Sequence, residues 1–411
     1  MAGPLALLGH TFRSLRHFNY RVWAAGALVS NVGTWMQRTA QAWLVLTQLT
    51  DHNAAAMGIT MSLQFGPSLL LLPLTGSAAD RFNQRRMLII TQCGLGFVAL
   101  SLGVLTLTGV VQLWHVYVLC LIQGCFVAFD APVRQTFVSE LVGTADLPNA
   151  VALNSTSFNA GRMIGPAVAG LVIASIGTGW SFIANGLSYG AVLTSMMMLR
   201  KSELRPIARS GGGAEGSLME GVRYLLKRHD LKANLIMLFF IGTFGLNFPI
   251  FIATMSVKVF QTDARGYGLL SSAMALGTIS GALLSAGSHP RFAKLMTGSA
   301  IFALGCTLAA FSPSAMWFAA TLVLIGIAAL TFTNNSNSLM QISTDPAMRG
   351  RVMAIRMAIV AGCTPLGSPL VGWVADHPGP RWSLAVGAAA GLISAAVAFW
   401  YLRTGRVRPD G

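Results

Sequence analysis

Charged residues are scarce in this sequence, and acidic residues are the scarcest. Of 411 residues only 13 are Asp or Glu and 28 are Lys or Arg, so 10% of the chain is charged against 54% hydrophobic. A soluble domain carries about 25% charged residues, so this composition excludes an ordinary soluble protein. The uncharged runs 87–129, 163–199 and 295–344 are each long enough to cross a bilayer twice. The chain is therefore predicted to be a membrane protein with several spans.

Several chemical signatures are also missing. No Gly-x-x-x-x-Gly-Lys-Ser/Thr loop occurs, and no hydrophilic segment is large enough for an ATPase, so an ion gradient is the expected energy source. The histidines are scattered over ends and loops without a Ser-His-Asp grouping, which argues against an enzyme. The cysteines lie inside predicted spans and lack the spacing of metal ligands; they are Cys93, Cys120, Cys125, Cys306 and Cys363. We therefore expect no cofactor and no metal.

The long uncharged runs divide at turn-forming residues. The divisions fall at 109–112, 177–179 and 312–314, where glycine, proline and serine interrupt the apolar pattern. Runs this continuously apolar predict helices rather than the alternating strands of a barrel. The predicted fold class is an all-α membrane protein with twelve transmembrane helices, near 22–49, 55–78, 87–108, 113–134, 153–175, 180–199, 233–256, 267–288, 294–311, 315–340, 352–375 and 382–402.

The net charge of +15 is distributed by side of the membrane. With both termini in the cytoplasm, the outer segments carry only Lys258, Arg265 and Arg381, and the remaining loop arginines and lysines fall inside. This agrees with the positive-inside rule and with an even number of spans. We therefore expect a multi-pass protein with the lipid bilayer rather than nucleic acid as its partner. We also expect it to be a monomer of the bacterial inner membrane.

One hydrophilic stretch lies near the centre of the chain. Its glycine-rich part at 210–213 predicts a flexible linker, and residues 218–226 predict a short amphipathic helix on the membrane surface. The predicted organisation is an N-terminal six-helix bundle (1–200), a cytoplasmic linker (201–232) and a C-terminal six-helix bundle (233–411). Similar glycine and proline spacing at 160–170 and 361–372 supports pseudo-symmetric halves, although such residues also serve helix packing.

Two motifs resemble the major facilitator superfamily of transporters. The stretch 76–86, GSAADRFNQRR, is similar to the superfamily's loop between its second and third spans, with Asn83 and Gln84 departing from the usual residues. The fifth span resembles the motif of antiporter-type exporters through Gly161, Gly165, Pro166 and Gly170. Segments 33–38, 129–135, 149–154 and 349–353 resemble the transmembrane secretion effector branch, which includes siderophore and macrolide exporters.

The resemblance implies functional roles for the loop between spans two and three and for the fifth-span motif. The loop would tie the N-terminal half to the eleventh span and release it as the cytoplasmic side opens, through Gly76, Asp80, Arg81, Arg85 and Arg86. Alternatively, its arginines only set topology. The fifth-span motif would seal the outer half of the pore or would simply pack. Many drug/proton antiporters carry an arginine in span four where this chain has Cys120, so a proton relay is not carried over to that position.

Ionisable residues inside predicted spans are candidates for coupling. Asp130 is the only acid in a predicted span, and Arg134 lies one helical turn further on. The pair could bind and release a proton as substrate or conformation separates it. The alternative is a permanent ion pair that orients spans four and five.

Polar stripes mark candidate substrate contacts. In span one Asn31, Thr34, Arg38 and Gln41 share a helical face, and Arg162 adds a second buried cation. These residues could line a central cavity, where Arg38 would attract an anionic or catecholate-like group, or they could bond neighbouring helices. Spans seven and ten add uncharged candidates: Thr243, Asn247, Thr331, Asn334, Ser338 and Gln341.

The sequence therefore predicts a secondary active transporter that exports a small amphipathic molecule, a siderophore or a drug, in exchange for protons. A lipid or lysophospholipid flippase and an importer are the transporter alternatives. Outside transport, a membrane sensor or a membrane-embedded enzyme stays open.

Overall fold

The computed structural model describes residues 12–75, 82–205, 218–286 and 289–404. Regular structure in these ranges is helical, and they contain no β-strand. Short 3₁₀ turns cover Arg13–Arg16 and Lys201–Glu203. The described part of the chain is therefore all-α, as the sequence predicts.

We number the helices in chain order. They are α1 (Phe18–Trp43), α2 (Ala54–Leu70), α3 (Gln84–Leu107), α4 (Leu113–Val142), α5 (Leu147–Ile176), α6 (Thr178–Met198), α7 (Leu218–Lys227), α8 (His229–Phe240), α9 (Phe248–Thr254), α10 (Ala264–Ala286), α11 (Phe292–Ala310), α12 (Ala315–Ser343), α13 (Arg349–Asp376) and α14 (Pro380–Arg403). π-Helical turns follow α1, α8 and α9 at Leu44–Leu49, Ile241–Gly245 and Met255–Val259.

Among the described residues, nine helical segments are long and apolar enough to cross a membrane. They are α3, α4, α5, the α8 to α9 segment, and α10 to α14. The helices α1, α2 and α6 are not among these nine segments, so their crossing, and with it the count of twelve, stays a prediction.

The predicted divisions of the long apolar runs are confirmed. α3 ends at Leu107 before Gly109, α5 ends at Ile176 before Gly177, and α11 ends at Ala310 before Pro313. Gly109 and Gly177 have φ of 73° and 98°, a region that favours glycine, so they end their helices at low cost. The helix boundaries thus follow from local turn chemistry.

The described chain forms two compact units. Unit 1 comprises Met1–Gln41 and Leu70–Gly211, and unit 2 comprises Ala42–Leu69 and Gly212–Gly411. In unit 1 a buried cluster that includes Tyr20, Trp23 and Phe137 joins α1, α4 and α6. In unit 2 a cluster that includes Met237, Leu295 and Phe332 joins α8, α11, α12 and α14. The end of α1 and nearly all of α2 thus lie in unit 2, and the division into two six-helix bundles joined by a linker stays a prediction.

The seventh span differs from the continuous helix expected over 233–256. It breaks at Leu246 and Asn247 between α8 and α9, with one π-helical turn directly before the gap and a second after α9. Pro249 explains the interruption, since it has no N–H to donate to the preceding turn. The break exposes backbone groups of this helix to side-chain partners.

The predicted amphipathic helix forms as α7 and packs against α12 and α13, and its place on the membrane surface stays a prediction. Leu225 is buried against Val352 of α13 and Met340 of α12. Glu220 forms an ion pair with Arg351 at 3.0 Å, and Gly221 faces the same turn of α13. The apolar face of α7 therefore docks on the start of α13.

Candidate functional site

Two arginines and two aromatic rings meet between α1 and α5 in unit 1. The Arg38 guanidinium carbon lies 4.7 Å from the centre of the Trp35 ring, and the Arg162 guanidinium carbon lies 5.4 Å from it. Phe158 meets Trp35 edge to face, with 5.5 Å between ring centres. We call these four residues the indole–arginine cluster. Sequence reasoning selected its arginines and missed its aromatic residues, which look ordinary in apolar helices.

Local helix geometry places the cluster. Trp35 and Arg38 are three residues apart on α1, and Phe158 and Arg162 are four apart on α5, so each pair shares one helix face. The two helices approach closely because Gly165 has no side chain: a Cβ atom there would lie 2.6 Å from Trp35 Cβ and 2.9 Å from the Val32 carbonyl oxygen. The fifth-span motif thus positions the cluster.

The other residues of this motif follow the same helix. A Cβ atom at Gly161 would lie 2.8 Å from the Asn31 carbonyl carbon, and Pro166 and Gly170 are buried. The geometry within unit 1 favours the packing interpretation of Gly161 and Gly165. The pore-sealing interpretation stays a prediction.

The electrostatics of the cluster favour an anionic ligand. Both guanidinium groups lie within about 6 Å of one indole ring, the range in which a cation is attracted by the ring. Within the described ranges no carboxylate forms an ion pair with Arg162, and the buried Trp35 Nε1–H donates no hydrogen bond. Two adjacent cations and an unused buried donor are groups that an anion with oxygen acceptors would satisfy.

The remaining polar residues of α1 contact neighbouring helices. Asn31 Nδ2 donates to Ser157 Oγ at 3.0 Å, and Thr34 Oγ1 lies 3.3 Å from Tyr189 Oη. Gln41 is buried, and its Oε1 accepts no hydrogen bond within the described ranges. For Asn31 and Thr34 these contacts favour interhelical bonding over a cavity lining.

Asp130 is the centre of a buried polar network that joins α3 and α4. Its Oδ1 accepts hydrogen bonds from Thr91 Oγ1 and Gln92 Nε2, both at 2.7 Å. Its Oδ2 accepts from Arg134 Nε at 3.0 Å and from Arg134 Nη2 at 2.9 Å. The alternative interpretation of the pair had it orient spans four and five, whereas the hydrogen-bond partners of Asp130 other than Arg134 lie on the third span. The Asp130 carboxylate thus accepts four hydrogen bonds from residues of α3 and α4.

The candidate residues Thr243 and Asn247 lie at the break between α8 and α9. Asn247 Nδ2 donates to the Thr243 carbonyl oxygen at 2.6 Å, and Ser368 Oγ donates to Asn247 Oδ1 at 2.9 Å. Gly367 of α13 lies so close that any Cβ atom would collide with the Thr243 carbonyl. Asn247 and Ser368 therefore hydrogen-bond at the interruption and hold it against α13.

The polar face predicted for span ten is divided in the structure. Asn334 Nδ2 donates to Ser285 Oγ at 2.8 Å, and Thr331 Oγ1 reaches the Gly281 carbonyl at 3.5 Å, so both contact α10. Ser338 is half-buried and Gln341 is exposed. These contacts do not distinguish a substrate role for the four residues from a packing role.

The other polar residues of α12 also bond neighbouring helices. Asn335 receives a hydrogen bond from the Arg291 N–H at 3.1 Å and returns one to the Arg291 carbonyl at 3.0 Å. Ser336 Oγ donates to Asn234 Oδ1 at 2.6 Å. The density of polar residues in α12 is thus largely explained by tertiary hydrogen bonds.

The predicted gating loop is described only in part. Gly76, Asp80 and Arg81 lie outside the described residues. Arg85 Nη2 donates to the Met196 carbonyl at 2.7 Å, and Arg86 is exposed at the start of α3. The gating role of this loop stays a prediction.

An ion cluster that sequence reasoning missed lies at the start of α5. The buried Asp146 carboxylate contacts Arg13, receives a hydrogen bond from Arg16 at 2.9 Å, and lies 2.7 Å from His17 Nε2. The hydrogen bonds from His17 and Arg16 lower the pKa of Asp146 to about 2. The sequence assigned these arginines to topology alone, because their acidic partner is about 130 residues away.

Comparison with known proteins shows which family the chain belongs to. A family model described as transmembrane secretion effector matches residues 10–407. The chain belongs to the transmembrane secretion effector family. The resemblance expected from the sequence is thereby confirmed, and the protein is a transporter of the major facilitator superfamily.

Two relatives within this family have names that state a cargo. The enterobactin exporter of Shigella flexneri is 27% identical over 338 residues, covering 80% of this chain and 78% of that protein. The staphyloferrin A transporter of Staphylococcus aureus is 25% identical over 354 residues, covering 84% and 86%. Both relatives are transporters rather than enzymes.

Solved structures confirm the fold. A bacterial homologue of the human lysosomal transporter Spinster, in an inward-facing and unoccupied conformation, has a TM-score of 0.74 at 14% identity, covering 96% of this chain and 99% of that chain. A D-xylose–proton symporter has a TM-score of 0.71 at 14% identity, covering 93% and 97%. At this identity the likeness shows a shared fold and carries no substrate.

Proposed function

We propose that this transporter exports a small anionic molecule of the siderophore class across the bacterial inner membrane, in exchange for protons and by alternating access. The indole–arginine cluster is the observation that carries the proposal. The names of the two relatives, an enterobactin exporter and a staphyloferrin A transporter, point to the same class of cargo.

The free energies of the cluster support an anionic cargo. Placing two arginines within a membrane span costs about 5 to 7 kcal/mol on insertion scales. Each cation–π contact with Trp35 returns about 1 to 2 kcal/mol. A bound anion would add to these contacts, because it neutralises positive charge on both guanidinium groups. Siderophores chelate iron through anionic oxygen atoms, so they offer acceptors suited to Arg38, Arg162 and the Trp35 N–H.

Asp130 is the proposed coupling group. Its carboxylate accepts four hydrogen bonds in this conformation, so a coupling step at Asp130 would require some of these hydrogen bonds to break. A proton moving down a 100 mV potential supplies about 2.3 kcal/mol, which is sufficient to work against a modest substrate gradient. Protonation of Asp130 would thus be linked to rearrangement of α3 against α4.

The proposal is tested in everted membrane vesicles with an imposed inward-acidic pH gradient. We expect an iron-free catecholate siderophore to accumulate in vesicles that contain the native transporter and not in vesicles without it. Collapse of the gradient with a protonophore is expected to abolish accumulation. Accumulation that persists without a gradient would contradict proton coupling, and accumulation of neutral or cationic amphiphiles alone would favour a drug or lipid substrate.

Variants separate the roles of the residues. Arg38→Gln and Arg162→Gln should each raise the substrate concentration for half-maximal uptake by about 10-fold or more, the loss of one hydrogen bond to a charged group. Arg265→Gln is the matched control, because it removes the same charge from an exposed position at the start of α10. Asp130→Asn should abolish the gradient dependence. If Arg265→Gln and Arg38→Gln raise the substrate concentration for half-maximal uptake equally, the effect comes from net charge and not from binding at the cluster.

A further inference from the structure

Tyr189 of α6 lies between the indole–arginine cluster and the Asp130 network of unit 1. The residue is only 3% exposed, and its hydroxyl oxygen Oη lies 3.3 Å from Thr34 Oγ1 on α1. Arg38 follows Thr34 by four residues, so the two share a face of α1. Arg38 and Tyr189 also interact electrostatically. The hydroxyl of Tyr189 therefore stands beside the indole–arginine cluster.

The ring of Tyr189 packs on the two helices that carry the Asp130 network. It forms an apolar cluster with two residues of α3 and two of α4: Leu95, Ala99, Phe126 and Val127. Leu95 lies one helical turn from Gln92 on α3. Val127 lies one helical turn from Asp130 on α4, and Tyr189 interacts electrostatically with Asp130. Because buried side chains are close-packed, a shift of α3 against α4 must move the ring.

A close contact between α1 and α6 fixes the backbone that carries Tyr189. A Cβ atom at Gly33 would lie 2.6 Å from Asn185 Oδ1, so the absence of a side chain at Gly33 allows the approach. Asn185 Nδ2 donates to Gln37 Oε1 at 2.5 Å, and both amide side chains are buried. Asn185 precedes Tyr189 by one helical turn. The Tyr189 hydroxyl can therefore leave Thr34 only by a movement of its own side chain.

The hydrogen bond between Tyr189 and Thr34 is one that an anion can replace. Hydrogen bonds between neutral oxygen atoms are commonly about 2.7 to 2.8 Å long, and this one is 3.3 Å. A hydrogen bond to an ionised acceptor is roughly twice as strong as one between neutral groups. The Tyr189 hydroxyl would therefore turn from Thr34 to an anion held at Arg38. It would supply that anion with an O–H donor in addition to the Trp35 N–H.

We propose that Tyr189 is the residue through which Asp130 controls the affinity for the anion. While Asp130 keeps its hydrogen bonds to α3, the ring is held where the hydroxyl reaches the anion. When these hydrogen bonds break, α3 shifts against α4, the ring follows, and the anion loses the hydroxyl donor. Tight binding of the anion and a proton on Asp130 then exclude each other, as exchange requires. The inference rests on the proposed function, because it states how anion export is linked to the coupling group.

Equilibrium binding to four proteins tests this link. The Kd of an iron-free catecholate siderophore is measured in detergent for the native protein, for Tyr189→Phe, for Asp130→Asn and for the double variant. Tyr189→Phe should raise the Kd about 10-fold, the loss of one hydrogen bond to a charged group. Asp130→Asn should raise it about 5-fold or more, the lower end of a typical coupling between sites. In the Tyr189→Phe background Asp130→Asn should leave the Kd nearly unchanged, because the hydroxyl that transmits its effect is gone.

Two further variants separate a specific link from damage to the fold. Thr91→Val removes one donor to Asp130 and keeps the carboxylate, so it takes the place of Asp130→Asn in the cycle if that variant does not fold. Tyr20→Phe is the matched control, because this buried tyrosine donates to the Ala150 carbonyl at 2.8 Å. It lies 14 residues before Thr34, about 21 Å along α1. Tyr20→Phe should alter neither the Kd nor its response to Asp130→Asn.

The outcomes distinguish the link from the proposed function. If Asp130→Asn changes the Kd equally with and without the Tyr189 hydroxyl, the link is overturned, and siderophore export by the native protein still stands. A native protein that binds no catecholate would instead contradict the proposed cargo. The link is then tested without ligand, by unfolding of Arg38→Gln, Asp130→Asn and their double variant in the native and Tyr189→Phe backgrounds. Effects that are non-additive only in the native background would support the link, and effects that add in both backgrounds would overturn it.

Discussion

Replacing Asp130 by Asn should destabilise the fold as well as affect coupling. The native carboxylate accepts from Thr91 and Gln92 on α3 and from two nitrogens of Arg134. The amide keeps the shape but turns one acceptor atom into a donor, so at least one of these donors must face another donor. The Arg134 cation also loses its anion, while only 20% of its side chain is exposed.

The magnitude follows from these contacts. A hydrogen bond to a charged group contributes about 1.5 to 3 kcal/mol, and breaking a buried ion pair by removing one partner costs about 3 to 5 kcal/mol. Because Arg134 keeps some access to solvent, we expect Asp130→Asn to lower the free energy of unfolding by about 2 to 4 kcal/mol. The double variant with Arg134→Gln should be less destabilised than the sum of the single variants, because it leaves no buried cation without an anion.

The assay is unfolding in detergent micelles, monitored by tryptophan fluorescence. It is applied to the native protein, to Asp130→Asn, to Arg134→Gln and to the double variant. Glu203→Gln is the control, since the Glu203–Arg200 ion pair is exposed and should contribute less than about 1 kcal/mol. An Asp130→Asn protein as stable as native protein, or single effects that simply add in the double variant, would refute the network as described.

Further predictions concern packing, acid stability and the α12 contacts. Gly165→Ala should lower the free energy of unfolding by about 1 to 3 kcal/mol through overpacking, whereas Gly190→Ala, in open space, should be neutral in the same unfolding assay. Because the pKa of Asp146 is lowered to about 2, its contribution to stability is complete above about pH 4 and is lost as the pH falls to 2. In the Asp146→Asn variant the melting temperature should therefore depend less on pH in that window. An unchanged pH dependence would contradict the ion cluster. Asn335→Ala should cost about 1 to 3 kcal/mol by removing both hydrogen bonds to the Arg291 backbone, and a neutral result would show that water replaces the amide.

Much of the fold is local in origin and could be predicted. The uncharged runs predicted the long helices, and Gly109, Gly177 and Pro313 predicted where they divide. The break in the seventh span could have been read from Pro249, but a continuous apolar run hid it. Local signals cannot show that α2 packs on α13, because the residues in contact there, such as Gly58 and Ser368, are more than 300 residues apart in the sequence.

The candidate site was predictable only in its charges. Asp130 and Arg162 stand out in sequence because ionisable groups in spans are rare. Their partners do not stand out: Thr91, Gln92 and Trp35 are common residues in helices, and only the tertiary arrangement brings them to the charges. The polar density in α12 also has a packing component that the sequence could not show, since Thr331, Asn334 and Ser336 bond neighbouring helices.

Charge selectivity of transport tests the central claim most directly. The measurement is uptake into everted vesicles, under one imposed pH gradient, of an iron-free catecholate chelator and of its O-methylated derivative, which cannot ionise at the catechol oxygens. The indole–arginine cluster predicts uptake of the free catecholate, loss of that uptake with Arg38→Gln and Arg162→Gln together, and little uptake of the methylated form by any variant. Equal uptake of both forms that does not respond to either arginine would contradict anion recognition at this site.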